Sequence, residues 1–384
     1  MIQGNNKVTL FINHSYPGGA TIYVNKLIEE RLARGEATIL LTYDLAAHQL
    51  KLISWTGGQK TEINISVPSE VETLLEKENI GEAFYNNLVT FPEPLEVVKM
   101  GCRLKRRLNC SLTFAVHDYH ALCPSFNLLT TEGKFCNLPD MAACRGCLPD
   151  NFHVHVRTSD SYDIDAWRKT WRGAFRLADK VVVFSESSRS LLKKTYPFLR
   201  TEQVALQPHN LPTRFVSKPR YNLQGPLKIG VVGDLGFHKG SQMVIDVAQI
   251  LARKAPGTGI TVIGKLDREA PVQNLEITGP FQTADLPALL EKYGINMCFF
   301  PSIWPETFSF VCSELMELEM PLCCYDLGAQ GDRVRGYPLG RIIREIKAEA
   351  TVENILQFYH SLRSHTGRSG TRKSAQKLER QAGN

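Results

Sequence analysis

The feature that most constrains the fold is an alternation of strand-like and helix-like segments that appears twice along the chain. Residues 7–43 contain an apolar strand, an amphipathic helix and a second strand, and residues 227–264 repeat this order. Strands that alternate with helices predict parallel sheets covered by helices, so we predict an α/β fold with two Rossmann-like domains. A chain of 384 residues is long for one core, which agrees with two domains at residues 1–215 and 216–362.

The composition, 43% hydrophobic and 22% charged residues, is ordinary for a globular protein that folds in water. No apolar run approaches the roughly 18 residues that a membrane span needs. The chain begins without the basic start and apolar centre of a signal peptide, so we expect a cytoplasmic protein.

Most of the net charge of +6 comes from the C-terminal tail, residues 363–384, which contains six basic residues and one acid. The tail is also rich in Ser, Gly and Gln, so we predict that it is disordered and solvated. A contact with an anionic membrane is the alternative that its charge leaves open. No RNA- or DNA-binding motif accompanies the tail, so we expect no nucleic-acid partner.

A second basic cluster lies near the end of a helix predicted at residues 93–109. Its cations are Lys99, Arg103, Lys105, Arg106 and Arg107. Cations are favourable at a helix C-terminus, so a solvated face is the default interpretation. Peripheral contact with the inner face of the plasma membrane is the alternative.

Residues 295–321 place two carboxylates next to one predicted helix. An apolar strand ends in a loop with two prolines, which contains Glu306, and Glu314 lies about two turns into the following helix. Both carboxylates can therefore point to the same place and accept hydrogen bonds from sugar and ribose hydroxyls. Backbone N–H groups of residues 307–310, at the helix start, can hold an anion. Two surface glutamates on an ordinary helix are the alternative.

A glycine-containing loop, residues 234–240, joins a strand to a helix in the second half. Gly236 and Gly240 let backbone N–H groups approach a diphosphate, and Lys239 can supply a counter-charge. The glycine spacing alone is a weak signal, and the lysine at the strand–helix junction strengthens it.

Two motifs in the first half follow predicted strands. Gly18 and Gly19 separate the first strand from the first helix and allow close approach of a ligand, although an ordinary turn is the alternative. His117 and Asp118 follow a strand predicted at residues 112–116, where open α/β sheets place ligand-binding groups. A histidine with a purely structural role is the alternative there.

Four cysteines lie in a segment, residues 120–150, that shows no evident core of its own: Cys123, Cys136, Cys144 and Cys147. The last two form Cys-Arg-Gly-Cys, the tight pair typical of a structural zinc knuckle. Cytoplasmic proteins rarely use disulfides, so we predict that the four thiolates bind one zinc ion, which orders the segment. Free thiols in a loop are the alternative. The wide spacing between the first two cysteines, Cys123 and Cys136, favours it.

In this order the motifs resemble the family 4 retaining glycosyltransferases, which have the GT-B fold. The resemblance rests on Glu306 and Glu314, separated by seven residues, within a strand, Pro-Ser loop and helix. The string His-Asp-Tyr-His-Ala-Leu-Cys-Pro, with the later cysteines, resembles a bacterial subgroup that assembles cell-surface polysaccharides. The GT-B fold implies two Rossmann-like domains that face each other across a cleft, with a C-terminal helix that crosses back to the first domain.

The resemblance also implies roles. Glu306 would bind the donor sugar, Glu314 the ribose, and His117 and Asp118 would lie near the reacting sugar, with no catalytic metal. The residues to which it assigns donor binding are Gly18, Gly19, Gly236, His238, Lys239, Gly240, Thr307, Phe308, Ser309 and Glu314.

The chain departs from the family pattern at Asp234, where the family has a phosphate-binding arginine. His238, Arg333 and Arg335 are the candidates to replace that contact, and the sequence does not choose among them.

We therefore expect a retaining glycosyltransferase that moves a hexose or deoxyhexose from a nucleotide-diphosphate sugar to a glycan or lipid-linked glycan, as in O-antigen or capsule synthesis. One alternative is a non-catalytic scaffold module of a polysaccharide-synthesising assembly, which Asp234 favours. A sugar-nucleotide epimerase of the same fold is a further alternative, which the cysteine-rich loop and the surroundings of Glu306 disfavour.

Overall fold

The chain divides between Pro208 and His209 into two compact units, each with its own sheet. The computed structural model describes residues 7–65, 68–154, 163–211 and 215–366.

The division differs from the boundary predicted at residue 215. His209 belongs to the second unit because its ring packs against Phe308 and Phe310, with ring centroids 4.9 Å and 5.3 Å apart. These aromatic contacts join residues far apart in sequence, so the local composition of the linker could not predict them.

The first unit is built on an eight-stranded sheet. Its strands are β1 (Val8–Ile12), β2 (Thr38–Asp44), β3 (Gln49–Thr56), β4 (Gln59–Ile65), β5 (Ile80–Tyr85), β6 (Ser111–Ala115), β7 (Lys180–Val183) and β8 (Val204–Leu206). Their order is β4-β3-β2-β1-β5-β6-β7-β8, and neighbours from β2 to β8 pair in parallel. All positions of β1 are buried, as expected for a parallel strand that is covered on both faces.

An antiparallel hairpin, β3 and β4, extends one edge of this sheet and was not predicted. Gly57 (φ 57°) and Gly58 (φ 80°) form the two-residue turn between its strands. Two successive positive φ values are typical of the type I′ turn, whose twist matches that of the strands it joins. The Gly-Gly pair was therefore the sequence signal that could have predicted the hairpin.

The helices of the first unit are α1 (Gly19–Ala33), α2 (Pro68–Leu75), α3 (Pro94–Leu108), α4 (Met141–Cys147), α5 (Ile164–Leu177) and α6 (Glu186–Thr195). Of these, α4 lies in the cysteine-rich segment, for which no helix and no core were predicted. Leu128, Leu129 and Leu148 of that segment are buried, so it does contribute apolar side chains to the core.

The basic end of α3 forms ion pairs with acids of the same unit. Arg103 pairs with Glu72 at 2.9 Å, and Lys105 pairs with Asp179 at 2.6 Å. These pairs are partly exposed and contribute little stability each, but they offset the positive charge that motivated the membrane alternative. No helix in the described ranges is both long and apolar enough to cross a membrane.

The second unit is built on a six-stranded parallel sheet. Its strands are β9 (Lys228–Leu235), β10 (Gly259–Leu266), β11 (Leu275–Ile277), β12 (Met297–Phe300), β13 (Leu322–Tyr325) and β14 (Gly340–Ile343). Their order is β11-β10-β9-β12-β13-β14. Every residue of β12 and β13 is buried, which explains why both read as continuous apolar runs.

The helices of the second unit are α7 (Ser241–Lys254), α8 (Leu286–Lys292), α9 (Phe310–Glu317), α10 (Gly328–Val334) and α11 (Ala348–Thr366). α11 packs against α7 and β14 of its own unit. The tail predicted at residues 363–384 therefore starts within a helix, which continues to Thr366, and the rest lies outside the described residues. The predicted crossing of α11 to the first domain stays a prediction.

Candidate functional site

The carboxyl ends of β9 and β12 form the topological switch point of the second sheet. β10 and β11 lie on one side of β9, whereas β12, β13 and β14 lie on the other. Such a reversal of strand order leaves a crevice beyond the strand ends, where open α/β sheets bind ligands. The loop after β9 carries Lys239, and the loop after β12 carries Glu306.

Glu306 is a buried carboxyl group, with 8% of the residue exposed. Burial raises its pKa above the ordinary value. The positive charge of Lys239 opposes that rise, as do hydrogen bonds from the hydroxyls of Ser302 and Ser309. The charge of Lys239 therefore reaches Glu306, and the role of both residues in a donor site stays a prediction.

Gln330, which sequence analysis missed, fixes the loop that carries Glu306. Gln330 is fully buried. Its Oε1 accepts a hydrogen bond from the backbone N–H of Glu306 at 3.1 Å, and its Nε2 donates to the Trp304 carbonyl at 2.8 Å. The N–H of Ala329 donates to the Glu306 carbonyl at 2.8 Å. Groups that follow β13 thus hold Glu306 through both its N–H and its C=O.

Two glycines allow the loops of this site to approach one another. Gly240 has φ 84°, and a Cβ there would lie 2.1 Å from the carbonyl oxygen of Pro301. Gly328 has φ 49°, and its Cβ would lie 2.5 Å from the backbone nitrogen of Glu306. Both positions therefore need glycine for conformation and for space.

The loop after β9 differs in detail from the predicted phosphate cradle. Phe237–Lys239 form a 3₁₀ turn, in which the N–H of Lys239 donates to the Gly236 carbonyl at 2.9 Å. The N–H of Gly240 donates to the Phe237 carbonyl, also at 2.9 Å. These two N–H groups form hydrogen bonds inside the turn and are not free to hold a phosphate. The group of this loop that acts on Glu306 is the side chain of Lys239. The ring of His238 packs against that of Trp304.

Ser309 joins Glu306 to the start of α9. As the N-cap of this helix, its Oγ accepts a hydrogen bond from the N–H of Cys312 at 3.3 Å. Its hydroxyl also donates to Glu306. Thr307 and Phe308 are buried next to it. The anion-binding role predicted for the N–H groups of residues 307–310 stays a prediction.

Glu314 lies on α9, five residues after the N-cap Ser309, and is buried. Burial and the nearby charge of Glu317 raise the pKa of Glu314 to about 7. Both Glu306 and Glu314 act electrostatically on the Cys312 thiol, so both carboxyl groups lie near the same residue of the helix.

Arg333, on α10, stacks its guanidinium over the ring of Phe308, 4.6 Å from the ring centroid. Its Nε is buried and has no hydrogen-bond partner among the described residues. Burial lowers the pKa of Arg333. Arg335 differs, because it is exposed and pairs with Asp326 and Asp332. Of the two arginines considered as replacements for the family's phosphate contact, Arg333 is thus the one that retains an unused donor.

His117, in the first unit, belongs to a buried polar network at the carboxyl ends of β1, β5 and β6. Its Nε2 lies 2.8 Å from the Oδ1 of Asn86. The amide of Asn86 is oriented by donation from Nδ2 to the Asn13 Oδ1 at 2.7 Å and to the Ala20 carbonyl at 2.8 Å. Since Asn86 Oδ1 can only accept, His117 Nε2 carries the hydrogen. The ring of His117 stacks on Phe184, with centroids 4.4 Å apart.

Asp118 is held by the loop after β5. Its carboxylate accepts hydrogen bonds from Asn87 Nδ2 and from the N–H of His120, each at 2.8 Å. Burial nevertheless raises the pKa of Asp118 to about 6. A cavity of about 30 Å³ borders Asp118, Asn87 and His120, which is enough for one or two water molecules but not for a sugar.

Gly18, before α1, adopts φ 146° and ψ −174°, a conformation that residues with a side chain rarely adopt. No atom lies within 4 Å of the position that a Cβ would occupy, so the requirement for glycine is conformational. Gly19 is the first residue of α1. The ligand-binding role of both residues stays a prediction.

Sequence reasoning missed the polar residues that position this chemistry: Asn13, Asn86, Asn87 and Gln330. None of these amides lies in a motif that the sequence analysis recognised, and Asn and Gln occur throughout any sequence. A weak signal existed for Asn86 and Asn87, which directly follow an apolar segment that forms β5. For Gln330, the signal was the glycine-containing loop of residues 327–331, which the family resemblance places near the donor, but nothing marked Gln330 itself, because its partners lie more than twenty residues earlier in the chain.

Residues 215–374 match the family model described as Glycosyl transferases group 1. The match covers most of the second unit and less than half of the chain. The sequence matches none of the curated proteins with which it was compared.

The structure is similar to those of several solved proteins. Sucrose-phosphate synthase from Thermosynechococcus elongatus is 16% identical, with a TM-score of 0.59 over 92% of this chain and 89% of that chain. HepE of Anabaena, solved in complex with UDP-glucose, is 15% identical, with a TM-score of 0.59 over 93% and 90%. The lipopolysaccharide outer core galactosyltransferase WaaB is 11% identical, with a TM-score of 0.54 over 92% and 90%.

At such identities the likeness shows the fold alone, and it confirms the predicted GT-B class. The glycosyl transferases group 1 match lies in the second unit, and the fold of the chain is that of GT-B glycosyltransferases.

Proposed function

We propose that the protein is a retaining glycosyltransferase that moves a sugar from a nucleotide-diphosphate sugar to a glycan or lipid-linked glycan. The observation that carries this proposal is a buried carboxyl group, Glu306, on which the charge of Lys239 acts at the switch point of the second sheet. A carboxylate can hold sugar hydroxyls, and an ammonium next to it can hold a diphosphate. Both groups are needed where a sugar–phosphate bond breaks.

Lys239 and Arg333 are the cations that we assign to the diphosphate. Lys239 acts on Glu306, and Arg333 lies over Phe308, two residues further along the same loop. Negative charge develops on the diphosphate as it leaves, and fixed cations in a site shielded from water stabilise such charge strongly. Arg333 would thereby replace the arginine that the family has at the position of Asp234.

The reaction that we propose needs no carboxylate nucleophile. The acceptor hydroxyl oxygen forms a bond to the anomeric carbon on the face from which the diphosphate leaves. The bond between that carbon and the phosphate oxygen breaks, its electron pair stays with the diphosphate, and the acceptor proton passes to the departing phosphate oxygen. In this scheme Glu306 positions the sugar, and Glu314 binds the ribose of the donor.

The relatives suggest which donors to test first. HepE was solved with UDP-glucose and, in another structure, with UDP. WaaB is described as a lipopolysaccharide outer core galactosyltransferase. We therefore propose a uridine diphosphate hexose as the first donor to test and a cell-surface polysaccharide precursor as the acceptor.

The experiment uses the purified full-length chain with a panel of nucleotide sugars. Thermal stabilisation detects binding, since a ligand that binds the folded state raises its apparent stability. Release of nucleotide diphosphate and transfer to glycan acceptors detect turnover. Binding without turnover of any donor, or no binding at all, would reject the enzyme and favour the scaffold alternative.

Variants assign the site. Glu306→Gln and Lys239→Met should each lower kcat/KM by roughly 100-fold to 1,000-fold, the usual effect of removing one electrostatic contact from a reaction centre. Glu349→Gln, an exposed glutamate on α11, is the matched control and should keep full activity. Full activity in Glu306→Gln would reject the assignment of Glu306.

A further inference from the structure

Four free cysteines of the first unit have sulfur environments that the proposed transferase site does not explain. They are Cys123, Cys136, Cys144 and Cys147, in the segment that follows His117 and Asp118. We propose that these four residues bind one zinc ion as thiolates and that the ion fixes this segment against α5.

Two of the cysteines lie in the same kind of turn. The sulfur of Cys136 accepts a hydrogen bond from the N–H of Leu138 at 3.4 Å, and the sulfur of Cys123 accepts one from the N–H of Ser125. In both cases the donor lies two residues after the cysteine. Backbone N–H groups directed at sulfur commonly orient the cysteine ligands of a metal. In the metal-free chain, burial raises the pKa of both thiols, so a metal must displace their protons.

The turn after Cys136 holds two successive residues in left-handed backbone conformations. Asn137 has φ 49° and Leu138 has φ 53°. Asparagine adopts this conformation readily, but it costs a residue such as Leu138 roughly 1–2 kcal/mol. The surroundings must offset this energy, and a bond from Cys136 to a metal ion would do so.

The other two cysteines lie on α4 and receive hydrogen bonds from side chains. Asn151 Nδ2 lies 3.3 Å from the sulfur of Cys147, and Arg168 Nη2 lies 3.7 Å from the sulfur of Cys144. Each of the four sulfurs therefore has a donor of its own. Hydrogen bonds of this kind commonly orient the ligands of a metal and tune their charge.

Arg168, on α5, suits an anionic sulfur cluster. Its guanidinium donates to the carbonyl of Leu122 at 3.0 Å, to the sulfur of Met141 at 3.0 Å and to Cys144. In the described part of the chain it forms no ion pair with a carboxylate. One Zn²⁺ with four thiolates carries a net charge of −2, which a guanidinium beside the cluster partly compensates.

The thiols lie near one another but do not yet enclose an ion. Electrostatic interactions link Cys123 to Cys136 and Cys144, and link Cys136 to Cys144 and Cys147. Among the described residues, however, no three His, Cys, Asp or Glu side chains converge closely enough to hold a metal. Binding therefore requires the thiol side chains to turn toward a common point. The sulfur of Cys144, which lies 3.9 Å from the Pro139 carbonyl, would leave that contact.

On binding, Zn²⁺ displaces the four thiol protons to solvent and forms four Zn–S bonds without any change in oxidation state. Four protein ligands complete a tetrahedral shell and leave no position for a substrate. The ion would thus act on structure, by joining the two cysteine turns to α4.

The first test is metal analysis of the full-length chain, purified under reducing conditions from cells grown with zinc. We expect about one zinc per chain. The double variant Cys144→Ser/Cys147→Ser should lose it. Cys110→Ser, which removes a buried free cysteine of the same unit outside the segment, is the matched control and should keep it. Zinc that persists in the double variant, or a chain that is folded and free of zinc and takes up none when zinc is added, would overturn the proposal.

A second measurement covers the case in which the double variant fails to fold. Replacement of zinc by Co²⁺ in the unchanged chain should produce visible bands of a tetrahedral ion and strong near-ultraviolet bands from thiolate ligands. A six-coordinate spectrum without thiolate bands, or a disulfide between Cys144 and Cys147 in the reduced preparation, would overturn the proposal. Neither readout depends on glycosyl transfer, so the zinc site and the proposed function can fail separately.

Discussion

The backbone N–H of Glu306 donates to the side chain of Gln330, although the two residues follow different strands of the second sheet. Gln330 is fully buried and also holds the carbonyl of Trp304. One neutral side chain therefore satisfies a donor and an acceptor on either side of the proline that precedes Glu306. The position of the Glu306 carboxylate depends on this contact.

Gln330→Leu should lower both the activity and the free energy of unfolding. The change keeps a similar volume but leaves the buried Glu306 N–H without its partner, at about 1–3 kcal/mol, and removes the shorter of two hydrogen bonds to the Trp304 carbonyl. Urea unfolding measures the stability, and steady-state kinetics on the donor measure the activity. Gln282→Leu, at an exposed glutamine of the same unit, should change neither by a comparable amount. Equal effects of the two variants would contradict the role of Gln330.

Gly240→Ala should destabilise the protein more than Gly279→Ala. The two glycines have nearly the same backbone conformation, φ 84° and φ 82°, so the cost of the left-handed conformation is the same, about 1–2 kcal/mol. Only Gly240 faces an obstacle, the Pro301 carbonyl, whereas the Cβ of Gly279 would meet no atom within 4 Å. We expect Gly240→Ala to cost roughly 1–3 kcal/mol more, as over-packing usually does. Equal melting temperatures of the two variants would show that the β9 and β12 loops adjust freely.

Arg333→Ala should weaken donor binding, whereas Arg335→Ala should not. Hydrogen bonds to a charged group contribute about 1.5–3 kcal/mol, so the KM for the donor should rise about tenfold or more. Arg335 is the matched control, since it lies on the same helix end but pairs with acids and is exposed. Competition by the free nucleotide diphosphate separates this effect from a loss of sugar contacts. An unchanged affinity for the diphosphate in Arg333→Ala would exclude Arg333 as the replacement for the missing arginine.

The ionisation of Asp118 should lower the free energy of unfolding of the first unit as the pH rises. Its pKa is about 6 in the folded protein and 3.8 in the ordinary reference, so the folded state retains a proton that the unfolded state loses. The stability that this proton contributes is fully present below pH 3.8 and is lost as the pH rises through about 6. The total change is at most about 3 kcal/mol.

The comparison of Asp118→Asn with the unchanged chain isolates this effect, because the other titrating groups are common to both. The asparagine variant cannot ionise, so its stability relative to the unchanged chain should increase between pH 4 and pH 7. Urea unfolding at several pH values measures the difference. A difference that does not depend on pH would show that the pKa of Asp118 is not raised.

The order of elements in both units was predictable from periodicity. Apolar runs such as those of β12 and β13 are buried on both faces, which parallel sheets impose and antiparallel sheets usually do not. The positions of Glu306 and Lys239 in the fold were also predictable, because each lies in a short loop directly after a strand. The hairpin β3–β4 was missed although Gly57 and Gly58 marked its turn.

The sequence by itself determined that parallel strands would alternate with helices and that Glu306 and Lys239 would follow two of those strands. Only the tertiary structure decided that these two loops meet, because β12 pairs beside β9 after the chain has passed through β10 and β11. The same is true of Gln330 and Asn86, whose amides matter through partners that are distant in the chain. Strand order and long-range hydrogen bonds depend on how the whole sheet packs, and no local pattern of residues carries that information.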